Sequence, residues 1–380
     1  MDHKLTPLNE MVVKTSRDFC EREVPRIDEY MEKMEQYPPD LMKRYATARM
    51  LAMNVPKEYG GVGTTNLNII LMIEEFGKTA TTCWLPLGMN NSAPETIYHW
   101  GTEQQREKFL PPMGDGRSWA STAFTEPGTG SDPRALATVA VPNGNDYILN
   151  GTKRFVSMGS KPGYGIFYAK DASVEDTKRN VTAFIVDKDS PGYSFSEHYK
   201  LMGLDHADTC DVFLKDVRVP KSQVLGNRGG GFEILLRWIA GERIQQASYG
   251  VGLGEAALSE SLKYCKQRVV GGKPLGAMQG FQWMLAEMKA NIEASRCYVR
   301  KAVCMQDEGE PIEIVSAELK VFTAPVILEV AKTALQIHGS YGYSKEYRVE
   351  KIIRVAAAAG VMASSTEINK TIVGNSLLRS

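Results

Sequence analysis

The feature that most constrains this chain is a double change in its hydrophobic period. Over about the first 120 residues apolar side chains recur every three or four positions. Between residues 121 and 225 they fall instead into short β-branched and aromatic runs, and from Phe232 onward helical spacing returns over long segments. Helices, then strands, then helices predicts an α+β fold. Its parts would be an N-terminal helical domain (1–120), a central antiparallel β-domain (121–225) and a C-terminal helical bundle (226–380).

Leu8, Met11, Val12, Thr15, Phe19, Val24 and Ile27 predict a first helix, broken by Pro38-Pro39. Asp40-Leu41-Met42 opens a short one, and helices are expected over 67–77 and 93–100. Gly101-Thr102-Glu103-Gln104-Gln105 reads as a capped start to a helix that Pro111-Pro112 should end. Strands are expected over 137–141, 147–149, 165–169, 181–186, 193–197 and 211–219, with a turn at Pro142-Asn143-Gly144-Asn145. The bundle helices should run to about Arg268, then over 278–307 and 311–338, with a last one after Thr366. Pro311 suits the first turn of its helix, where a missing N–H costs nothing.

Charge narrows the partners. Lys+Arg and Asp+Glu are equal at 45 each, so composition advertises no basic face for nucleic acid or an anionic membrane. No apolar run reaches the roughly 18 residues of a membrane span. Met1-Asp2-His3-Lys4-Leu5-Thr6 has neither the apolar core of a signal peptide nor an Arg-rich leader, so a cytoplasmic protein is the expectation. Six cysteines with no CxxC pair, and five scattered histidines, argue against a metal centre and a disulfide framework.

Chemistry is concentrated in a few stretches. The segment Trp238-Ile239-Ala240-Gly241-Glu242-Arg243 sets an acid beside a base on a helix, which by itself is an ordinary surface pair. Thr125-Glu126-Pro127-Gly128-Thr129-Gly130-Ser131-Asp132 is a small-residue loop just before the strands, where backbone N–H groups can approach a ligand. Asn150-Gly151-Thr152-Lys153-Arg154-Phe155-Val156-Ser157 ends a strand beside an aromatic and a hydroxyl. Lys266-Gln267-Arg268 leads into a glycine-broken helix end, and Gln336-Ile337-His338-Gly339-Ser340-Tyr341-Gly342-Tyr343 is followed by Glu350-Lys351 and Arg354.

In order and spacing these stretches resemble the acyl-CoA dehydrogenase family over nearly the whole chain. The T-E-P-G-x-G-S-D and N-G-x-K pair and the later Q-x-x-G-S-x-G-Y are the specific signals. The resemblance implies a C-terminal four-helix bundle, FAD between the β-domain and the bundle, an acyl-CoA substrate, an electron-transferring flavoprotein as partner and a homotetramer. It implies that Thr125 hydrogen-bonds the flavin, with Phe155 in place of the family's usual Trp and Ser157 in place of its Thr. Ser131 would lie near CoA. Arg268, Gln279, Gln336 and Gly339 would hold the adenine half of a neighbouring subunit's FAD, a guanidinium being suited to pyrophosphate. Gly271 departs from the usual Phe, and Val355 from the Asp that usually follows Arg354.

The largest departure falls on the family's usual base. Many members carry it as the first Glu of an E-G-T-x-(E/Q)-I motif, where this chain reads Ala363-Ser364-Ser365-Thr366-Glu367-Ile368. Ala363 keeps a backbone N–H for the thioester carbonyl, and Ser365 and Glu367 keep cofactor contacts. In isovaleryl-CoA, long-chain and crotonobetainyl-type members the base sits on the first bundle helix, at the place of Glu242, followed by an Arg as Arg243 is here. The resemblance therefore implies α,β-dehydrogenation of an acyl-CoA, with Glu242 as base. The alternatives are an enoyl-CoA reductase of the same fold and a base-less relative with another acyl-CoA reaction, such as desulfination. Polar Asn90 and Asn91, with Trp84, Met89 and Glu95, lie where the family touches acyl groups and hint at a functionalised chain, helix capping being the plainer reading.

Overall fold

Thr6 begins the first helix by accepting the Asn9 N–H at 3.3 Å, while the Asn9 side chain accepts the Thr6 N–H at 3.0 Å. The computed structural model describes residues 4–132, 135–176 and 180–379; residues 1–3, part of the N-terminal reading above, lie outside them. Helices α1 (Pro7–Met34), α2 (Leu41–Thr47), α3 (Asn66–Gly77), α4 (Trp84–Trp100) and α5 (Glu103–Gly114) form the first part.

Two of these depart from the expected limits. The first helical turn of α4 lies nine residues before Ala93, because Trp84 to Pro94 is buried on all sides and shows no polar stripe. Pro94 deprives the Asn90 carbonyl of its helical donor, and that carbonyl accepts the Ala52 N–H at 2.9 Å instead. Helix α5 runs through Pro111-Pro112 rather than ending there. The carbonyls this frees belong to exposed Glu107 and Lys108, where water can serve them.

Eight strands follow: β1 (Ser121–Ala123), β2 (Val139–Asn143), β3 (Asp146–Ser157), β4 (Tyr164–Asp171), β5 (Val181–Asp187), β6 (Tyr193–Phe195), β7 (Thr209–Pro220) and β8 (Val224–Leu225). They form one sheet in the order β6-β7-β3-β2-β4-β5-β8, with β1 added against β4. The sheet is mixed, since β1 and β2 both run parallel to β4 while the other pairs are antiparallel. The β3–β7 register slips between Lys153 and Val156, and in that bulge Phe155 takes a φ of 54°.

The last part comprises α6 (Gly231–Gln267), α7 (Gln279–Asp307), α8 (Glu313–His338), α9 (Arg348–Ala357) and α10 (Thr366–Leu377). Helix α9 was not foreseen, and Pro311 lies just outside α8, with Ile312 as its N-cap. Helix α6 is the molecule's central rod. It touches α3 so closely that a Cβ on Gly77 would strike the Tyr249 carbonyl, and one on Gly252 the Glu74 carbonyl. Ile73, Phe76, Ile244, Val251, Ile292, Leu319 and Ile327 make one core across α3, α6, α7 and α8. Ile97, Phe109, Ile166, Tyr168, Ile185, Ile234 and Ile239 make a second, tying α4, α5 and the sheet to the start of α6. No described helix is long and apolar enough to cross a membrane.

Candidate active site

The T-E-P-G loop is held by its own acid. The Glu126 carboxylate accepts the N–H groups of Ala137 and Thr138 and the Lys153 ammonium at 2.6 Å, with both charged side chains almost fully buried. Burial works to raise the Glu126 pKa, but the charge and hydrogen bond of Lys153 and the donor at Thr138 leave it below the ordinary value. Burial pushes Lys153 down to about 8, against the pull of Glu126. This pair joins the two motif stretches, so Glu126 has a structural task and is not free for proton chemistry.

Beyond the pair, the Arg154 N–H donates to the Thr125 carbonyl at 2.8 Å, setting Thr125 beside the bulge. The bulge turns Phe155 outward, 52% exposed, against Tyr199 at 4.6 Å between centroids. Ser157 is half-buried two residues on, opposite Thr209. An exposed aromatic face with hydroxyls beside it suits a flat, polar-edged ring. Phe124 meets Trp238 edge-on at 6.1 Å, which connects this wall to α6.

On α6, Glu242 and Arg243 do not pair. Glu242 is half-buried near Ser92 of α4, and its Oε1 is sealed from solvent with no hydrogen-bond partner. Burial raises its pKa to about 7; the Ser92 hydroxyl opposes the rise and the Glu95 charge adds to it. Arg243 faces different neighbours, donating to the hydroxyls of Ser316 at 3.4 Å and Ser364 at 3.2 Å. Burial lowers it to about 10, with Glu313 opposing. Lys320 of α8 is also buried, bonded to Gln246 Oε1 at 2.5 Å and to the Met362 carbonyl, and burial followed by the Arg243 charge lowers it to about 7. Among the described residues neither cation has a carboxylate within ion-pair distance.

Buried polar atoms of Trp84, Glu242, Arg243 and Gln245 all lack partners, a cluster on and against one stretch of α6. Arg243 and Lys320 clamp the segment before α10, where Ala363 (φ 50°) and Ser364 (φ 71°) are half-buried and Ser365 caps α10 by accepting the Ile368 N–H. Glu367 is exposed in the first turn of α10, 4.0 Å from Lys370. Ser131 is exposed on the T-E-P-G loop.

Arg268, Gln279, Gln336 and Gly339 are elsewhere. Arg268 follows α6, Gln279 starts α7, and Gln336 and Gly339 end α8; all are exposed, and the Arg268 guanidinium lies over Tyr341 at 5.9 Å. Arg268 is 26 residues beyond Glu242, about 39 Å at the α-helical rise of about 1.5 Å per residue. Thr125, Phe155 and Ser157 thus lie on a sheet wall that Phe124 ties to Trp238 of α6, one turn before Glu242, and Arg243 ties α6 to Ser364, between Ala363 and Ser365; the other four sit at the far end of the bundle.

Sequence reasoning did not find Ser92, Gln245 or Lys320. Lys320 left a signal, a lysine on an otherwise apolar helix face; Ser92 left none. Asn90 and Asn91 prove structural, their side chains bonded to the backbone of Met113, Ser118, Ala120, Met50, Leu87 and Met53.

Comparison with known proteins gives a consistent result. Family descriptions match in chain order: acyl-CoA dehydrogenase N-terminal domain over residues 6–117, middle domain over 121–217 and C-terminal domain over 229–378. An acryloyl-CoA reductase (NADH) from Anaerotignum propionicum is 34% identical, with 100% of this chain and 96% of the relative covered. A caffeyl-CoA reductase-Etf complex subunit from Acetobacterium woodii is 32% identical, covering 98% of each. The solved structure of butyryl-CoA dehydrogenase from Megasphaera elsdenii superposes with a TM-score of 0.95 at 33% identity, covering 100% of both chains.

Proposed function

The chain belongs to the acyl-CoA dehydrogenase family, a family of flavoprotein oxidoreductases, and from that premise we propose that it interconverts an acyl-CoA thioester and its α,β-unsaturated counterpart. Its cofactor in this reading is FAD and its electron partner an electron-transferring flavoprotein, as the name of the Acetobacterium woodii relative indicates for that protein. One observation carries the assignment of the base. Glu242 has one carboxyl oxygen sealed from solvent without a partner and a pKa raised to about 7, while position 363 is an alanine.

The residues present fit the cofactor. Phe155 offers an exposed aromatic face, Thr125 and Ser157 offer hydroxyls, and α6 carries buried polar atoms that lack partners. When bound, FAD supplies the two-electron acceptor or donor. Glu242 takes the proton from the carbon α to the thioester, or returns it. The backbone N–H of Ala363 would donate to the thioester carbonyl, and the buried charge of Arg243 behind Ser364 favours the negative charge that builds up there. Ser131 is proposed to meet CoA, and Ser365 and Glu367 the cofactor.

About 39 Å of helix separates Arg268 from Glu242 of one chain. This supports the reading that Arg268, Gln279, Gln336 and Gly339 hold the adenine half of a neighbour's FAD within a homotetramer. Exposed Trp283 and Tyr343 at the surface of the bundle agree with such an assembly.

Anaerobic titration of the yellow enzyme with a panel of saturated acyl-CoAs tests the function, and bleaching by none of them would sink it. In Glu242→Gln, flavin reduction should fall by about 10³-fold or more with FAD still bound. Near-normal bleaching by that variant would remove Glu242 from its role. A second reading, the reductive direction, is equally compatible with that pKa. A carboxyl half-protonated near neutrality serves as acid as readily as base.

A further inference from the structure

A base enclosed at an occupied site needs a way to exchange its proton with water, and a cavity beside α6 offers one. Ser92 and Glu95 stand one turn apart on α4, on one face, and both line a cavity of about 350 Å³ between α4, α6, the end of α7 and the segment around Asn66. Trp238 and Gly241 of α6 form its inner wall, and exposed His99, Asp307 and Gly309 form its mouth. A space of this size, lined by polar and apolar groups together, has room for about ten waters at roughly 30 Å³ each.

The connection to Glu242 is specific. The Ser92 hydroxyl adjoins the Glu242 carboxyl, and its oxygen accepts the Trp238 indole N–H at 3.2 Å, leaving the hydroxyl proton for donation. Glu95 Oε1 accepts from Asn66 at 2.9 Å and from Gln306 at 3.3 Å, with His99 at 4.0 Å. Arg237 lowers and Asp307 raises the Glu95 pKa, but burial is the largest influence and raises it. A Cβ on Gly241 would meet only Gln306 Nε2, at 3.6 Å, so the inner wall leaves room.

We propose that Ser92 and Glu95 form a proton relay between Glu242 and solvent. The inference rests on the reading of Glu242 as the base. In the oxidative direction protonated Glu242 gives its proton to Ser92 Oγ as the Ser92 hydroxyl proton passes to a cavity water. That water in turn protonates the Glu95 carboxylate, which releases the proton at the mouth. One proton moves along the chain, no electrons move, and the reductive direction reverses each step. Ser92 and Glu95 act through Glu242 and do not touch the reacting carbon.

Exchange of the substrate α-hydrogen with solvent tests the relay. In D₂O, with an acyl-CoA that bleaches the flavin, α-deuterium incorporation by the holoenzyme is followed in wild type, Glu95→Gln and Ser92→Ala. The expected result is a fall of about tenfold or more in both variants, with complete bleaching at equilibrium, and recovery on adding imidazole as a small proton carrier. Wild-type exchange in both variants overturns the relay. So does a loss that imidazole does not restore, since a merely structural defect would behave that way. Glu242→Gln measured alongside keeps the two readings apart. If it bleaches normally the base assignment fails, and if it does not bleach while Glu95→Gln and Ser92→Ala exchange normally, only the relay fails.

Discussion

Glu242 and Arg243 are adjacent in the chain but about 100° apart around α6, so each answers to different surroundings. Glu242 faces Ser92, with the Glu95 charge acting on it; Arg243 faces Ser316 and Ser364. A pH dependence follows. Proton abstraction needs the carboxylate, so flavin reduction by a saturated acyl-CoA should rise with pH through about 7 and level off above it. Enoyl-CoA reduction needs the protonated acid and should fall through the same range. Stopped-flow rates across pH 5.5–8.5 (roughly the span set by that pKa) check both signs, and matching slopes would refute the scheme. The sequence made Glu242 legible only through the alanine at 363 and the family pattern. Its separation from Arg243 was not legible, because it depends on which neighbours pack against each side of α6.

Among the elements, the loop before β2 and the strand β3 depend on one buried pair. Glu126→Gln would keep the volume but leave the Lys153 ammonium without its counter-charge. Breaking such a pair by removing one partner costs about 3–5 kcal/mol. Urea unfolding of the variant should show a loss of that size, and its FAD should dissociate more readily. At the surface a smaller effect is expected. Thr102 caps α5 through the Gln105 N–H, so Thr102→Ala should cost about 1 kcal/mol in the same assay. The two cases differ in legibility for a physical reason. A cap and its partner lie three residues apart and can be read as a local pattern, whereas Lys153 reaches Glu126 only after β3 has found its register. The mixed pairing around β4 was hidden likewise, since alternation of side chains is the same in parallel and antiparallel strands. Burial on all sides concealed the start of α4, which has no polar face to mark it.

At the scale of the molecule, the three successive hydrophobic textures were enough to place the sheet between two helical regions. The junction they create, and its distance from Arg268, required the folded chain. If neighbouring chains complete each cofactor site, then loosening the assembly should also release FAD. Trp283→Arg, on the exposed side of α7, should shift sedimentation towards smaller species and lower the flavin-to-protein ratio together. A small species with full flavin would contradict that coupling. The length of α6 has a consequence for inheritance as well as for architecture. Because one helix carries both Glu242, the proposed base, and Arg268, proposed to serve a neighbour's cofactor, damage at its two ends would fall on different sites. Two defective alleles, one encoding Glu242→Gln and the other Arg268→Ala, should therefore complement in a cell expressing both. A protomer with an intact Glu242 can then sit beside one with an intact Arg268, and the mixed oligomer recovers sites that neither parent possesses.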